Sequence, residues 1–124
     1  MINSFTIPIH GHLWLVRFNT PEEEPEFEKC YGFTDFTAEE IAINSKIDGT
    51  ISNKKVFTLK VLRHEIIHAF MQRCGLHICY ENSEKDNEVT VDWFAIQWHE
   101  LNTAIEEAEK EAMKILNELD TAKP

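Results

Sequence analysis

The spacing of the apolar residues changes near residue 53, and this change limits the folds that the chain can adopt. Before it, short runs rich in Ile, Leu, Val, Phe and Trp are separated by turn residues such as Gly11, which is typical of strands. After it, apolar residues recur every three or four positions, which is typical of helices. The strands predicted in this β-rich front, residues 1–50, cover 5–9, 12–18, 31–36 and 40–44.

The second part of the chain is predicted to contain two helices. The first covers residues 53–75, where Gly75 supplies a natural stop, and the second covers residues 86–119. A chain of 124 residues without an internal repeat is long enough for one core. We therefore expect a single α+β domain over residues 1–124, with a small antiparallel sheet and two helices.

Charge and composition exclude several kinds of partner. The chain has 22 Asp and Glu against 12 Lys and Arg, so its formal net charge is −10. Such a chain repels phosphate backbones and anionic membrane surfaces, so we expect it to bind neither nucleic acid nor membrane. It has no run of 18 apolar residues, and its first residues lack the basic and apolar regions of a signal peptide.

The cysteine count indicates a reducing compartment. Cys30, Cys74 and Cys79 are an odd number, which argues against a disulfide framework and favours the cytoplasm. A disulfide between Cys74 and Cys79 is the alternative.

Apolar residues of the second predicted helix form a stripe at steps of three and four. The favoured interpretation is packing on the chain's own domain. Pairing with a second copy, as a homodimer through this helix, is the alternative, and a stripe this short does not decide between them. The stripe consists of Leu101, Ile105, Ala108, Ala112, Ile115 or Leu116, and Leu119.

The first predicted helix contains the motif H-E-x-x-H at residues 64–68. Four residues are slightly more than one helical turn, so His64 and His68 project from one face and can bind one metal ion. Glu65 lies at the edge of that face, where it can act as a general base on a water that the metal polarises. Two unrelated histidines on a helix are the alternative explanation of the motif.

Two acidic residues further along the chain favour the metal site. Glu88 follows His68 by twenty residues, and Asp92 lies one turn after Glu88 on the same helical face. Two nitrogens and one carboxylate leave a fourth position open, as in a hydrolytic zinc site. Asp92 can accept the second ring N–H of a ligand histidine and fix its tautomer.

The two motifs together resemble those of the gluzincin metallopeptidases, the group that includes thermolysin. This resemblance implies that Glu88 is the third zinc ligand and that Asp92 supports the ligands without contacting the metal. Residues 88–95 are also similar to the third-ligand helix of ImmA/IrrE-type metallopeptidases, except that Asp92 stands where those often have Asn. The chain further resembles small zincin-like proteins of phages and prophages, most specifically over residues 58–95, which implies a zincin-like fold in the cytoplasm of a host cell.

The remaining candidate residues have less specific predictions. Zincins also need a group that stabilises the oxyanion, and Tyr31, Tyr80 and His77 are the candidates. By analogy with zincins, the strand at 40–44 is expected beside the cleft, where it can hold an extended substrate. Residues 10–12, His-Gly-His, are predicted to form a turn. Trp14, Trp93, Trp98 and most Phe residues are predicted to lie in the core.

Three functions are compatible with these residues. The first is a zinc-dependent peptidase that cleaves a specific protein or peptide target through Glu65. The second is a metal-binding module that sequesters a host or phage protein without cleaving it. The third is structural use of the same fold without metal. Retention of Glu65 favours the peptidase, because binding zinc does not need this residue.

Overall fold

The computed structural model describes residues 3–49, 51–75 and 83–121, except for the side chains of residues 83–89, 91, 92 and 121. It shows a small α+β domain with a four-stranded sheet and two helices, which confirms the predicted class. The elements are β1 (Ser4–Ile9), β2 (His12–Asn19), a 3-10 helix (Pro25–Glu28), β3 (Gly32–Asp35), β4 (Glu40–Asn44), α1 (Lys54–Arg73) and α2 (Ser83–Thr121).

The sheet is mixed, so the prediction of an antiparallel sheet is wrong for one strand pair. The strand order is β1-β2-β4-β3, with β1 antiparallel to β2, β3 antiparallel to β4, and β2 parallel to β4. The reason is topological. After β2 the chain passes through the 3-10 helix to the far edge and returns through a hairpin, so β4 enters beside β2 in the same direction.

This strand order contradicts the prediction that the strand at 40–44 can hold an extended substrate. β4 lies between β2 and β3, and both of its edges are therefore already paired. A substrate cannot add to it. The free edge on that side of the sheet belongs to β3, which packs against α1.

The turn predicted at residues 10–12 is confirmed as a two-residue hairpin turn. His10 has φ +48° and Gly11 has φ +81°, and Ile9 pairs with His12 across the turn. Two consecutive positive φ values match the right-handed twist of the flanking strands, which makes such turns common in tight hairpins.

The core lies between one face of the sheet and the two helices. On β2, Trp14, Val16 and Phe18 are buried, as their shared face predicts, whereas Leu13 is 69% exposed. The other strands contribute buried isoleucines, and the helices contribute a matching set of apolar side chains. The principal buried members are Ile7, Ile9, Ile41, Ile43, Leu62, Ile66, Phe70, Leu101, Ala108 and Ala112.

Helix α2 lies antiparallel to α1. Lys55 Nζ lies 2.6 Å from an Asp120 carboxylate oxygen near one end, and Arg63 pairs with Glu109 at 2.5 Å. The apolar stripe of α2, from Leu101 to Leu116, is buried against the chain's own core, which confirms the favoured interpretation. A homodimer through α2 stays a prediction and would use other faces of this helix.

Trp98 does not lie in the core, contrary to the prediction, because its side chain is 59% exposed. The face of α2 that points inward runs back from Leu101 in steps of four, through Gln97 to Trp93. Trp93 is 8% exposed. Trp98 is one residue away from this row, which rotates it about 100° around the helix.

Both predicted helices are present, with shifted ends. Helix α1 is slightly shorter than the predicted range 53–75, and α2 begins three residues before the predicted Asp86. Neither described helix combines the length and the apolar character that crossing a membrane requires.

Gly32 allows the close approach between β3 and α1. A Cβ atom built on Gly32 would lie 2.8 Å from Val61 Cγ1 and 3.0 Å from the backbone oxygen of Ala42. The first distance is shorter than real Cβ contacts and the second is tighter than most of them, so a larger residue at this position would push α1 away from the edge strand.

We predict that Gly32→Ala lowers the free energy of unfolding by about 1–3 kcal/mol, the usual cost of overpacking. Urea denaturation of the wild type and the variant measures this change. In a Val61→Ala background the Cγ1 clash is gone, so the cost should be smaller. Equal costs in the two backgrounds would show that Val61 does not limit the approach.

Candidate metal centre

Helix α1, which carries the H-E-x-x-H motif, has well-defined ends. At its start, the side chain of Asn53 accepts a hydrogen bond from the backbone N–H of Val56 (3.2 Å), which caps the first turn. At its end, Gly75 has φ +78° and its N–H donates to the carbonyl oxygen of Gln72 (3.2 Å). A glycine in this conformation is a common helix stop.

One face of α1 is buried, and this fixes the rotation of the helix about its axis. The buried positions recur every three or four residues, and they place Glu65 on the inner side of the helix. His64 and His68 are thereby left at the exposed side. The buried residues are Thr58, Leu62, Glu65, Ile66, Ala69 and Phe70.

The two histidines converge as the motif predicts. The Nε2 atoms of His64 and His68 lie 3.0 Å apart, and their rings are 4.6 Å apart between centroids. A tetrahedral zinc ion with Zn–N bonds of roughly 2.0–2.1 Å separates two ligand nitrogens by about 3.3–3.4 Å. The observed separation is close to this value, so a small rotation of either ring produces a two-nitrogen half of a zinc site.

Glu65 is buried, with 7% of its surface exposed, and Thr34 of β3 holds it. The Thr34 hydroxyl lies 2.8 Å from Glu65 Oε1 and 3.2 Å from the backbone carbonyl oxygen of the same residue. A hydroxyl has one hydrogen, and the shorter distance favours donation to the carboxylate. This bond connects the motif to the edge strand and partly compensates for the burial of a charged group.

A cavity of about 310 Å³ lies beside the motif, between α1 and the beginning of β3. We call it the β3–α1 cavity. Tyr31 lines it, which places one of the three candidates for oxyanion stabilisation next to the motif; its ring packs edge-on against Phe57 at 4.9 Å. The lining residues are Cys30, Tyr31, Gly32, Phe57, Lys60, Val61, His64 and Glu65.

The predicted third ligand and its support lie outside the described side chains. Glu88 and Asp92 both belong to helix α2, but the structure describes no side-chain atoms for them. The other two oxyanion candidates, His77 and Tyr80, and also Cys79, lie outside the described residues. Within the described part of the chain, no group of three metal-binding side chains occurs.

Cys30 is a neutral group in the β3–α1 cavity. Its partial removal from water raises the pKa of the thiol, and the negative charge of Glu65 adds to the effect, while a hydrogen bond with the Gly32 backbone opposes it. A raised pKa keeps the sulfur protonated at neutral pH.

The other histidines of the described residues serve the fold or line a different cavity. His12 Nδ1 lies 2.9 Å from Glu39 Oε2, and His10 Nδ1 lies 3.5 Å from Glu100 Oε2, which joins the β1–β2 turn to α2. His99 lines a separate cavity, together with His10.

Trp93 connects α2 to the end of α1. Its indole N–H donates to the sulfur of Cys74, the residue that follows α1. Trp93 is buried, which confirms the prediction that it lies in the core.

The sequence alone did not identify Thr34 as a partner of Glu65. Thr34 and Glu65 are 31 positions apart, and their contact depends on the register of β3 and on the rotation of α1. The sequence predicted a strand over 31–36, but no local pattern marks one threonine of a strand as the partner of a helical glutamate.

No family model, curated protein or solved structure matches this chain. The geometry of its own residues therefore carries the functional argument.

We predict that Thr34→Val lowers the free energy of unfolding by about 1–3 kcal/mol, because it leaves the buried carboxylate of Glu65 without its donor. The replacement has nearly the same shape, so packing should be retained. Thr34→Ser, which keeps the hydroxyl, should cost less. Urea denaturation measures both variants.

Thr6→Val is the matched control for this prediction. Thr6 is an exposed residue of β1, so the same chemical change at this position should leave stability nearly unaltered. If Thr34→Val is as harmless as Thr6→Val, the hydrogen bond to Glu65 does not contribute to stability.

Proposed function

We propose that this chain is a zinc-dependent metallopeptidase that hydrolyses a peptide bond in a specific protein target. The observation that carries the proposal is the 3.0 Å approach of the His64 and His68 Nε2 atoms beside the buried Glu65. Two converging imidazoles on an exposed helix face, with a carboxylate on the adjoining inner face, combine metal ligands with a base.

The donor set suits zinc. Neutral imidazole nitrogens and one carboxylate are common ligands of catalytic zinc sites, which keep one position open. Glu88 is the proposed third ligand, and Asp92 is proposed to orient a ligand histidine. When bound, zinc supplies a Lewis acid that polarises the scissile carbonyl and activates water at neutral pH.

Glu65 is the proposed general base. Its carboxylate lines the β3–α1 cavity, and Thr34 holds one carboxylate oxygen at 2.8 Å. The other oxygen is then available to accept a proton from the attacking water and to pass it to the leaving amine. Tyr31 is the described candidate for stabilising the oxyanion.

The edge of β3 is the proposed binding strand for an extended substrate. The backbone N–H of Asn44 donates to the carbonyl oxygen of Tyr31 (2.9 Å), so Tyr31 faces β4. Because backbone groups alternate along an antiparallel pair, the N–H and C=O groups of Gly32 and Thr34 point to the open edge. A peptide that pairs with them lies next to the motif.

We predict that the purified protein contains one zinc ion per chain and that His64→Ala or Glu88→Ala removes it. Each replacement takes away one of three protein ligands. Asp92→Ala should retain stoichiometric zinc but weaken its affinity by about 10- to 100-fold, the usual effect of losing a supporting hydrogen bond. Elemental analysis and competition with a chelator measure these changes.

The control for the ligand prediction is His99→Ala, which removes an exposed histidine from a different cavity. This variant should keep its zinc. Tightly bound stoichiometric zinc in His64→Ala would show that the ligand assignment is wrong, and a direct bond between Asp92 and the metal in a crystal structure would refute the supporting role.

We predict that Glu65→Gln retains fold and zinc content but loses the general-base contribution, roughly 10²–10⁴-fold in rate. The amide is nearly isosteric, but it cannot accept the proton. To identify the target, lysates of bacterial cells are incubated with the wild type or the variant, and new protein N-termini are identified by mass spectrometry.

The outcome of this comparison separates the two leading functions. New termini that depend on Glu65 and on His64 support the peptidase. Equal cleavage by wild type and Glu65→Gln would exclude Glu65 as the base. Capture of the same partner by both proteins, without new termini, would favour the sequestering module.

A further inference from the structure

The β3–α1 cavity contains a cation that the proposed chemistry does not use. Lys60 lies one helical turn before His64 on α1, and it is the one Lys or Arg among the described residues that line this cavity. Side chains one turn apart on a helix are neighbours, about 5–6 Å apart at their Cβ atoms. Lys60 therefore lies next to the proposed metal position, on the side away from His68.

Lys60 has no ionic partner among the described residues. Four other cations of the fold form ion pairs, whereas the structure shows no described carboxylate within ion-pair distance of Lys60. The paired cations are Arg17, Lys55, Arg63 and Lys114. In a chain with a net charge of −10, a cation that lines a cavity and has no partner within the described part of the chain is a local site for a negative group.

The walls of the β3–α1 cavity fit a side chain with a short apolar part. Tyr31 and Phe57 pack edge to face and form one wall, and Val61 contributes a further apolar surface. At about 310 Å³, the cavity is at the lower end of the usual size of ligand pockets, so it suits one residue rather than a long segment.

We propose that the β3–α1 cavity binds the side chain of a glutamate in the peptide substrate and that Lys60 binds its carboxylate. This inference rests on the proposed peptidase function and adds that the substrate contains a glutamate. The two methylene groups of the glutamate contact the rings of Tyr31 and Phe57. Its charge is kept away from Glu65, which lies five residues beyond Lys60, about 7.5 Å further along the helix axis.

The direction of the edge strand favours a side chain over a terminal carboxylate. A peptide paired with the outward groups of Gly32 and Thr34 passes over the cavity, because Gly32 belongs to both the edge and the cavity wall. The main chain of the substrate then continues along β3, and a side chain enters the cavity. Lys60 thus selects an internal acidic residue.

Three N-acetylated peptides test this inference by binding, independently of cleavage. They are acetyl-Ala-Glu-Ala-amide, acetyl-Ala-Gln-Ala-amide, and acetyl-Ala-Gln-Ala with a free terminal carboxylate. Each is titrated into the ¹⁵N-labelled protein as purified, and the amide signals of Gly32, Lys60 and Val61 report binding in the cavity. Mass spectrometry checks that the peptides remain intact.

We expect the Glu peptide to bind about fivefold more tightly than the Gln-amide peptide, the gain from one exposed ion pair. Lys60→Met should abolish this preference, and Lys60→Arg should retain it. Lys110→Met, which removes the same charge from an exposed position of α2, should leave the preference unchanged.

Three results would overturn the inference. The first is an equal affinity for the Glu and Gln-amide peptides, and the second is a preference for Glu that survives Lys60→Met. The third is tightest binding of the peptide with the free terminal carboxylate, which would assign the cavity to a chain end instead of a glutamate.

The inference and the proposed function can be refuted independently of each other. A protein without zinc, or without cleavage that depends on Glu65, contradicts the peptidase while the peptide titration still reports on Lys60. A zinc-loaded, active protein that does not distinguish Glu from Gln contradicts the role of Lys60 alone.

Discussion

The packing of α1 against the sheet is the constraint on which the site depends. The buried row from Thr58 to Phe70 fixes the rotation of the helix, and Gly32 lets it approach the edge strand closely. This rotation turns His64 and His68 outward and Glu65 inward. A rotation of one residue, about 100°, would bury a histidine in an apolar core and expose the glutamate. The packing of the core therefore determines the geometry of the candidate metal centre.

The burial of Glu65 has a cost that the fold partly offsets. A buried carboxylate without partners is strongly unfavourable, and the Thr34 hydroxyl supplies one partner. A core built for stability alone would favour an apolar residue at this position. Retention of an acid here, held from the neighbouring strand and facing a cavity, is the arrangement expected of a group that serves chemistry.

The parts of the structure that the sequence predicted correctly depend on local geometry. The i, i+4 spacing of His64 and His68 brings their rings together in any regular helix, and the same holds for the alternation along β2 and for the hairpin turn at Gly11. The parallel pairing of β2 with β4, the Thr34–Glu65 contact and the exposure of Trp98 depend on how distant elements meet. Strand order and helix rotation determine these features, and neither can be predicted from a short segment of the sequence.

The unequal distribution of charge connects the proposed metal site with the proposed substrate. A net charge of −10 attracts a divalent cation but repels an acidic peptide. The proposed metal ion therefore favours negative charge on the surface, whereas the proposed substrate favours positive charge. Charged groups act over about 10 Å at moderate ionic strength, so the immediate neighbours decide the local field. Lys60, one turn before His64 and unpaired with any described carboxylate, supplies a positive group at that range. The neutral thiol of Cys30 adds no opposing charge. Under the proposed function, a single lysine in the β3–α1 cavity would let an acidic protein accept an acidic side chain beside Glu65, the proposed base.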